Sequence, residues 1–260
     1  MVREICGYSF SVYDLLMVST PVDVLAFGPH PDDVEIGMGA TIAQHVARGL
    51  SVGICDLTRG EMGSNGAPEE RLREAEEARV VLGAAWRVNL GLPDRQLRDV
   101  PEQVRPVVEL IRAAQPKVIA LPHWSDRHPD HGAASLLVAA AAFSSGLRRY
   151  QADGAPWKAE WLVYYFINNA AEPSFVIDVS EHYDVKQRAL ACHRSQFNPL
   201  GDGATPTRLT SPLFQQLVES RDSQFGALCG VRWAEGFVVR EPIVRRHLLK
   251  KRPMPGATGR

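Results

Sequence analysis

The chain has 260 residues, 45% hydrophobic and 23% charged, with a formal net charge of -1. This is the composition of a globular protein long enough to bury the core of one large α/β domain. The near-neutral balance gives no basis for binding nucleic acid or an anionic membrane, and no apolar run approaches the roughly 18 residues that a membrane-spanning helix requires.

Residues 1–20 read as an N-terminal extension. The run Leu15-Leu16-Met17-Val18 is too short for a signal peptide's apolar region, and Met17 offers a second translation start. The periodicity then predicts a buried strand over 22–27, a helix over 39–48, a strand over 51–57 and a charged amphipathic helix over 69–82. A short strand over 88–90, a helix over 101–114, a strand over 118–121 and an Ala-rich helix over 129–144 follow. Strands alternating with helices predict βαβ units, hence a Rossmann-like, mostly parallel sheet with helices on both faces. The last third is less regular, with strands over 161–166 and 175–179 and a helix over 181–193. Residues 198–212, rich in Gly, Pro and Thr, read as a loop long enough to be a lid. One domain over 21–245 and a frayed basic tail over 246–260 complete the organisation. Cys6, Cys55, Cys192 and Cys229 form no C-x-x-C pair, which points to reduced thiols in a cytoplasm and leaves any metal to other ligands. Cys55, inside an apolar run, reads as a small buried hydrophobe.

The informative residues lie after two predicted strands. The first segment is His30-Pro31-Asp32-Asp33, and the second is Asp126-Arg127-His128-Pro129-Asp130-His131. Composition alone predicts roughly 0.03 copies of His-Pro-Asp in such a chain. Pro disfavours helix in the residue before it, so turn and capping chemistry is the bland reading. Capping needs no histidine, however. In a parallel sheet both loops leave the carboxyl ends of strands and converge on one crevice. Two imidazoles, one carboxylate and a water make an open catalytic zinc site. His30 and His131 then supply nitrogens and Asp33 the oxygen. His128 lies three residues from His131 and only one of them need ligate. Asp32 is left beside the site as a proton acceptor. Fe(II) or Co(II) suit the same donors.

These segments resemble the PIG-L or LmbE-like metal-dependent deacetylases. The resemblance runs through AFGPHPDDVEIGMGAT, GICDLTRGEMGSNG, RLREAEEA, LPDRQL, DRHPDH, SQF at 195–197 and AEGF at 234–237. It is nearest to the bacillithiol-pathway branch, which acts on N-acetyl-α-D-glucosaminyl-L-malate. It implies that His30, Asp33 and His131 bind zinc and that Asp32 is the general base. It gives His128, in its protonated form, the oxyanion role, with Asp130 holding it. It places His193 near the site and Arg71 near the substrate. It also implies a homo-oligomer, trimer or hexamer. Other N-acetylglucosaminides remain alternative substrates: a mycothiol precursor, a chitooligosaccharide, an antibiotic or a lipid-linked sugar. A metal- or ligand-binding protein without turnover is the reading from a different class.

Arg59, Asp94, Arg95 and Arg127 lie in loops at predicted strand ends and together can line an anion-tolerant pocket. Glu74 reads as a solvated helix charge. His45, His123, His182 and His247 have no motif around them. Gly37-Met38-Gly39 does not complete a dinucleotide fingerprint, because position 42 is Ile.

Overall fold

The computed structural model describes residues 3–5, 8–10, 20–198 and 204–244. A small hairpin, β1 (Arg3–Ile5) and β2 (Tyr8–Phe10), precedes the main sheet. The rest of the predicted extension, the tail over 246–260 with His247, and residues 199–203 of the predicted lid lie outside the described residues.

Chain order then runs β3 (Val24–Gly28), α1 (Asp33–Ala47), β4 (Val52–Thr58), α2 (Pro68–Leu82), β5 (Trp86–Leu92), α3 (Pro101–Ala114), β6 (Val118–Pro122) and α4 (Pro129–Ser145). It continues with β7 (Trp161–Tyr165), β8 (Phe175–Asp178), α5 (Tyr183–Cys192), α6 (Arg194–Phe197), α7 (Pro212–Cys229) and β9 (Ala234–Val238). The 7-stranded sheet has the order β5-β4-β3-β6-β7-β9-β8. Strands β3 to β7 pair in parallel, and β9 runs antiparallel to both β7 and β8.

Sequence explains which strands are central. All of β3 and β4 is buried, as continuous apolar strands covered on both faces must be, whereas β5 alternates buried and half-buried residues at the sheet's edge. Leu25, Phe27, Cys55 and Leu57 face α3 and α4 in one core. Val24, Ala26, Ile54 and Ala120 face α1, α2, α5 and α7 in the other.

Three sequence expectations are corrected. First, α1 begins at Asp33 rather than 39, so its glycines lie inside a helix. A Cβ on Gly37 would collide with the Tyr165 ring. The helix kinks at Met38 (φ -149°, ψ 23°), and two distant charges satisfy the opened backbone. Arg221 donates to the Ile36 carbonyl at 2.8 Å, while Glu235 accepts from the Ala40 and Thr41 N–H groups at 3.2 and 2.6 Å. Second, α7 and β9 were not anticipated. The buried side of α7 carries Arg221 and Asp222, which hide an apolar stripe. Third, Glu74 is buried rather than solvated, and accepts from the Ser195 N–H at 2.8 Å and hydroxyl at 2.7 Å.

Candidate metal centre and substrate cavity

The strand order reverses between β3 and β6, and the loops leaving these two neighbours carry the two His-Pro-Asp segments. Open α/β sheets place their sites at this kind of crevice. A cavity of about 630 Å³ opens there, lined by His30, Asp32, Asp33, His128 and His131 among others.

Asp33 stands between two imidazoles. One of its oxygens lies 3.0 Å from His30 Nδ1 and the other 3.4 Å from His131 Nε2. It also accepts from the His30 backbone N–H at 3.0 Å, which fixes the turn. Burial raises the pKa of Asp33, but His131 and His30 outweigh it and hold the carboxyl below its ordinary value.

The other nitrogens are held as well. His30 Nε2 lies 3.1 Å from Asp94, whose second oxygen accepts from the Met62 N–H. His131 Nδ1 lies 3.0 Å from Asp126, which also accepts from the N–H groups of His128, Asn168 and Asn169. A carboxylate behind a ring nitrogen fixes the tautomer and leaves the opposite nitrogen to a metal.

Asp32 is buried at φ 137°, outside the regions that L-residues favour. Such a conformation costs about 1–3 kcal/mol and persists where the surroundings enforce it. Burial pushes its pKa up to about 6, against the lowering effect of Arg71, whose guanidinium is 3.4 Å away.

His128 is the N-cap of α4, and its Nδ1 accepts from the Asp130 N–H at 3.3 Å. In the neutral ring the proton therefore sits on Nε2. The ring packs edge-on to His30 and stacks on His131. Burial, followed by His30 and His131, lowers its pKa, which disfavours the protonated form expected for it. The Asp130 carboxylate bonds the Arg95 N–H at 2.7 Å instead of the His128 ring.

The donor chemistry suits a divalent cation. Single donor atoms of His30, His128 and His131 lie within 4.8 Å of one another. The carboxylates of Asp32, Asp33, Asp94, Asp126 and Asp130 surround these rings, with Arg71 and Arg95 as the paired cations. Crowded buried carboxylates call for added positive charge.

Known proteins resemble this chain. Residues 25–142 match the family model described as PIG-L, GlcNAc-PI de-N-acetylase. A conserved protein of Thermus thermophilus with a solved structure is 42% identical, at a TM-score of 0.79 over 86% of this chain and 97% of that one. The diacetylchitobiose deacetylase of Thermococcus kodakarensis is 28% identical over 82% of this chain and 81% of its own. The 1D-myo-inositol 2-acetamido-2-deoxy-alpha-D-glucopyranoside deacetylase of Mycobacterium leprae is 31% identical over 52% of this chain and 58% of its own.

This chain belongs to the PIG-L family of deacetylases.

Around this candidate centre the remaining predicted residues divide. Arg95 and Arg127 are exposed and line the cavity, and Asp94 lines it from a buried position. Arg71 lines it too, but its fork is committed to the Gly60 and Pro31 carbonyls at 3.0 Å each. Arg59 is exposed and not among the cavity's lining. His193 is fully buried behind the cavity, its Nε2 3.4 Å from Glu35, in a cluster where Arg87 pairs with Glu35 and Asp56. It is therefore not placed to touch a sugar.

Sequence reasoning missed Asp126, Asn168 and Arg208. Asp126 opens the quoted DRHPDH segment, so its position was visible, although its bond to His131 was not. Asn168 and Arg208 line the cavity from stretches with no motif. Among the described residues, no helix is long and apolar enough to cross a membrane.

Proposed function

We propose that this chain hydrolyses the acetamide of an N-acetylglucosamine derivative at one zinc ion held by His30, Asp33 and His131, with N-acetyl-α-D-glucosaminyl-L-malate as its substrate. One observation carries the reading. Imidazole nitrogens from both loops turn to one buried carboxylate, and a second, strained carboxylate faces the same cavity. The names of the two deacetylases specify amino-sugar acetamides, which supports an N-acetylglucosamine unit.

Bound there, a divalent ion supplies Lewis acidity to the amide carbonyl and lowers the pKa of a neighbouring water. Asp32 takes the proton of the attacking water, and a pKa pushed up to about 6 suits a base working near neutrality. Arg71 keeps that carboxylate ionised and in place. His128 donates from Nε2 to the carbonyl oxygen as it gains charge, and this needs only the neutral ring. The C–N bond then breaks, and the proton taken up by Asp32 balances the one the departing amine requires.

The aglycone reading rests on the rim. Arg95, Arg127 and Arg208 line the cavity, and malate brings two carboxylates that a guanidinium fork can meet with paired hydrogen bonds. The test is kcat/KM for the malate glycoside against free N-acetylglucosamine. A preference of about tenfold, equivalent to roughly 1.4 kcal/mol, is expected, and it should shrink in Arg127→Ala. Equal efficiency on both sugars would sink the malate assignment and leave deacetylation standing.

A further inference from the structure

Polar side chains predominate among the residues lining the catalytic cavity, but apolar ones also line it. Ile36, Ile167, Leu209 and Phe214 are among its lining residues. Ile36 stands one helical turn after Asp33, so this apolar lining begins beside the metal-ligating carboxylate. Behind it lies a second cavity of about 170 Å³, bordered by Leu190, Ala191, Phe197 and Val218. Ile36 and Phe214 belong to both linings, so these two side chains form a partition. Phe214 is buried, and Phe197 stacks on it at a centroid distance of 6.2 Å. The cation at the edge of the second cavity, Lys186, is already bound by Asp222 and Glu235, so nothing there demands an anion.

The acyl chain is the part of an N-acylated amino sugar whose apolar length can vary, while the ring carries the hydroxyls. The polar surfaces suit the hydroxyls, and the apolar lining suits the chain. We propose that Phe214, with Ile36, sets the length of acyl group this chain removes, and that the cavity behind them, bordered on its far side by the exposed Gln187, Gln215 and Glu219, is an extension able to take a short alkyl chain. A water occupies roughly 30 Å³, so the second cavity has room for several methylene groups once the partition is removed. This inference rests on the deacetylase reading above.

The experiment compares kcat/KM for N-acetyl-, N-butyryl- and N-hexanoylglucosamine using metal-loaded wild type, Phe214→Ala, and Phe214→Ala combined with Ala191→Leu. Wild type should favour acetyl over hexanoyl by about tenfold or more, the usual scale for misfitting methylenes. Phe214→Ala should raise the hexanoyl-to-acetyl ratio by about tenfold. Ala191→Leu, from an exposed position on the second cavity's border, should take back part of that gain. If Phe214→Ala does not fold, Phe214→Leu should still raise the butyryl-to-acetyl ratio. An unchanged ratio in a variant that still releases acetate would overturn the proposal. So would an equal loss on all three substrates, which would mean that the ring supports the sugar instead. Wild type that hydrolyses none of the three would overturn the deacetylase reading along with this one.

Discussion

In the loop after β3, His-Pro-Asp ends on a residue at φ 137°, with no side-chain cap on the helix that follows. In the loop after β6, the same tripeptide starts α4 from an extended His128 whose ring caps the Asp130 N–H. The fourth residue separates them. Asp33 turns its carboxylate back to the His30 N–H and drives the strained turn, whereas His131 follows an ordinary helix start. One loop stores strain and holds a carboxylate of raised pKa, and the other presents imidazoles from a relaxed scaffold. A repeated motif can therefore supply opposite halves of one site.

The largest expected effect breaks the chemistry of the strained loop. Asp32→Asn should lower kcat by about 100-fold or more while metal content stays unchanged. Near wild-type turnover would remove Asp32 as the base. A smaller effect tests how the relaxed loop is held. Asp126→Asn weakens the support behind His131, and metal affinity in a chelator competition should fall by roughly 10–100-fold. An unchanged affinity would show that the ring needs no such partner. The smallest effect reads the strain itself. In metal-free protein, Asp32→Gly should raise stability in urea by about 1–3 kcal/mol, because glycine adopts positive φ without penalty. Asp130→Gly, which leaves the Arg95 N–H without its acceptor, should lower it by about 1 kcal/mol or more. If both glycine variants shift stability in the same direction, the contrast between the loops fails.

Much of this was legible before the structure. The helix over 101–114 and the strands at 22–27, 51–57 and 118–121 follow from periodicity, because parallel strands buried on both faces leave uninterrupted apolar runs. The convergence of His30 and His131 followed from where such strands end. Other features were hidden because they depend on partners distant in sequence. The predicted helix over 39–48 starts too late, because nothing local shows that Gly37 leaves room for the Tyr165 ring inside the helix. Helix α7 escaped notice because Arg221 and Asp222 lie on its buried side, and those charges serve the kink in α1 and Lys186. Glu74 carries the same sequence signature as its solvated neighbours, and only the fold brings Ser195 against it. His193 caps the end of α5, and the Glu35–Arg87–Asp56 cluster that encloses it comes from elements distant in sequence.

Whether the two loops share one metal and use it to release acetate is read by titrating zinc into metal-free wild type and following bound metal and acetate release from an N-acetylglucosaminide in the same samples, with His131→Ala alongside. Acetate release should rise in proportion to bound metal and saturate at about one ion per chain, as three protein ligands and one open position imply, and His131→Ala should show neither. Full activity in the stripped protein, or full zinc binding by His131→Ala, would show that the two loops do not share a catalytic metal.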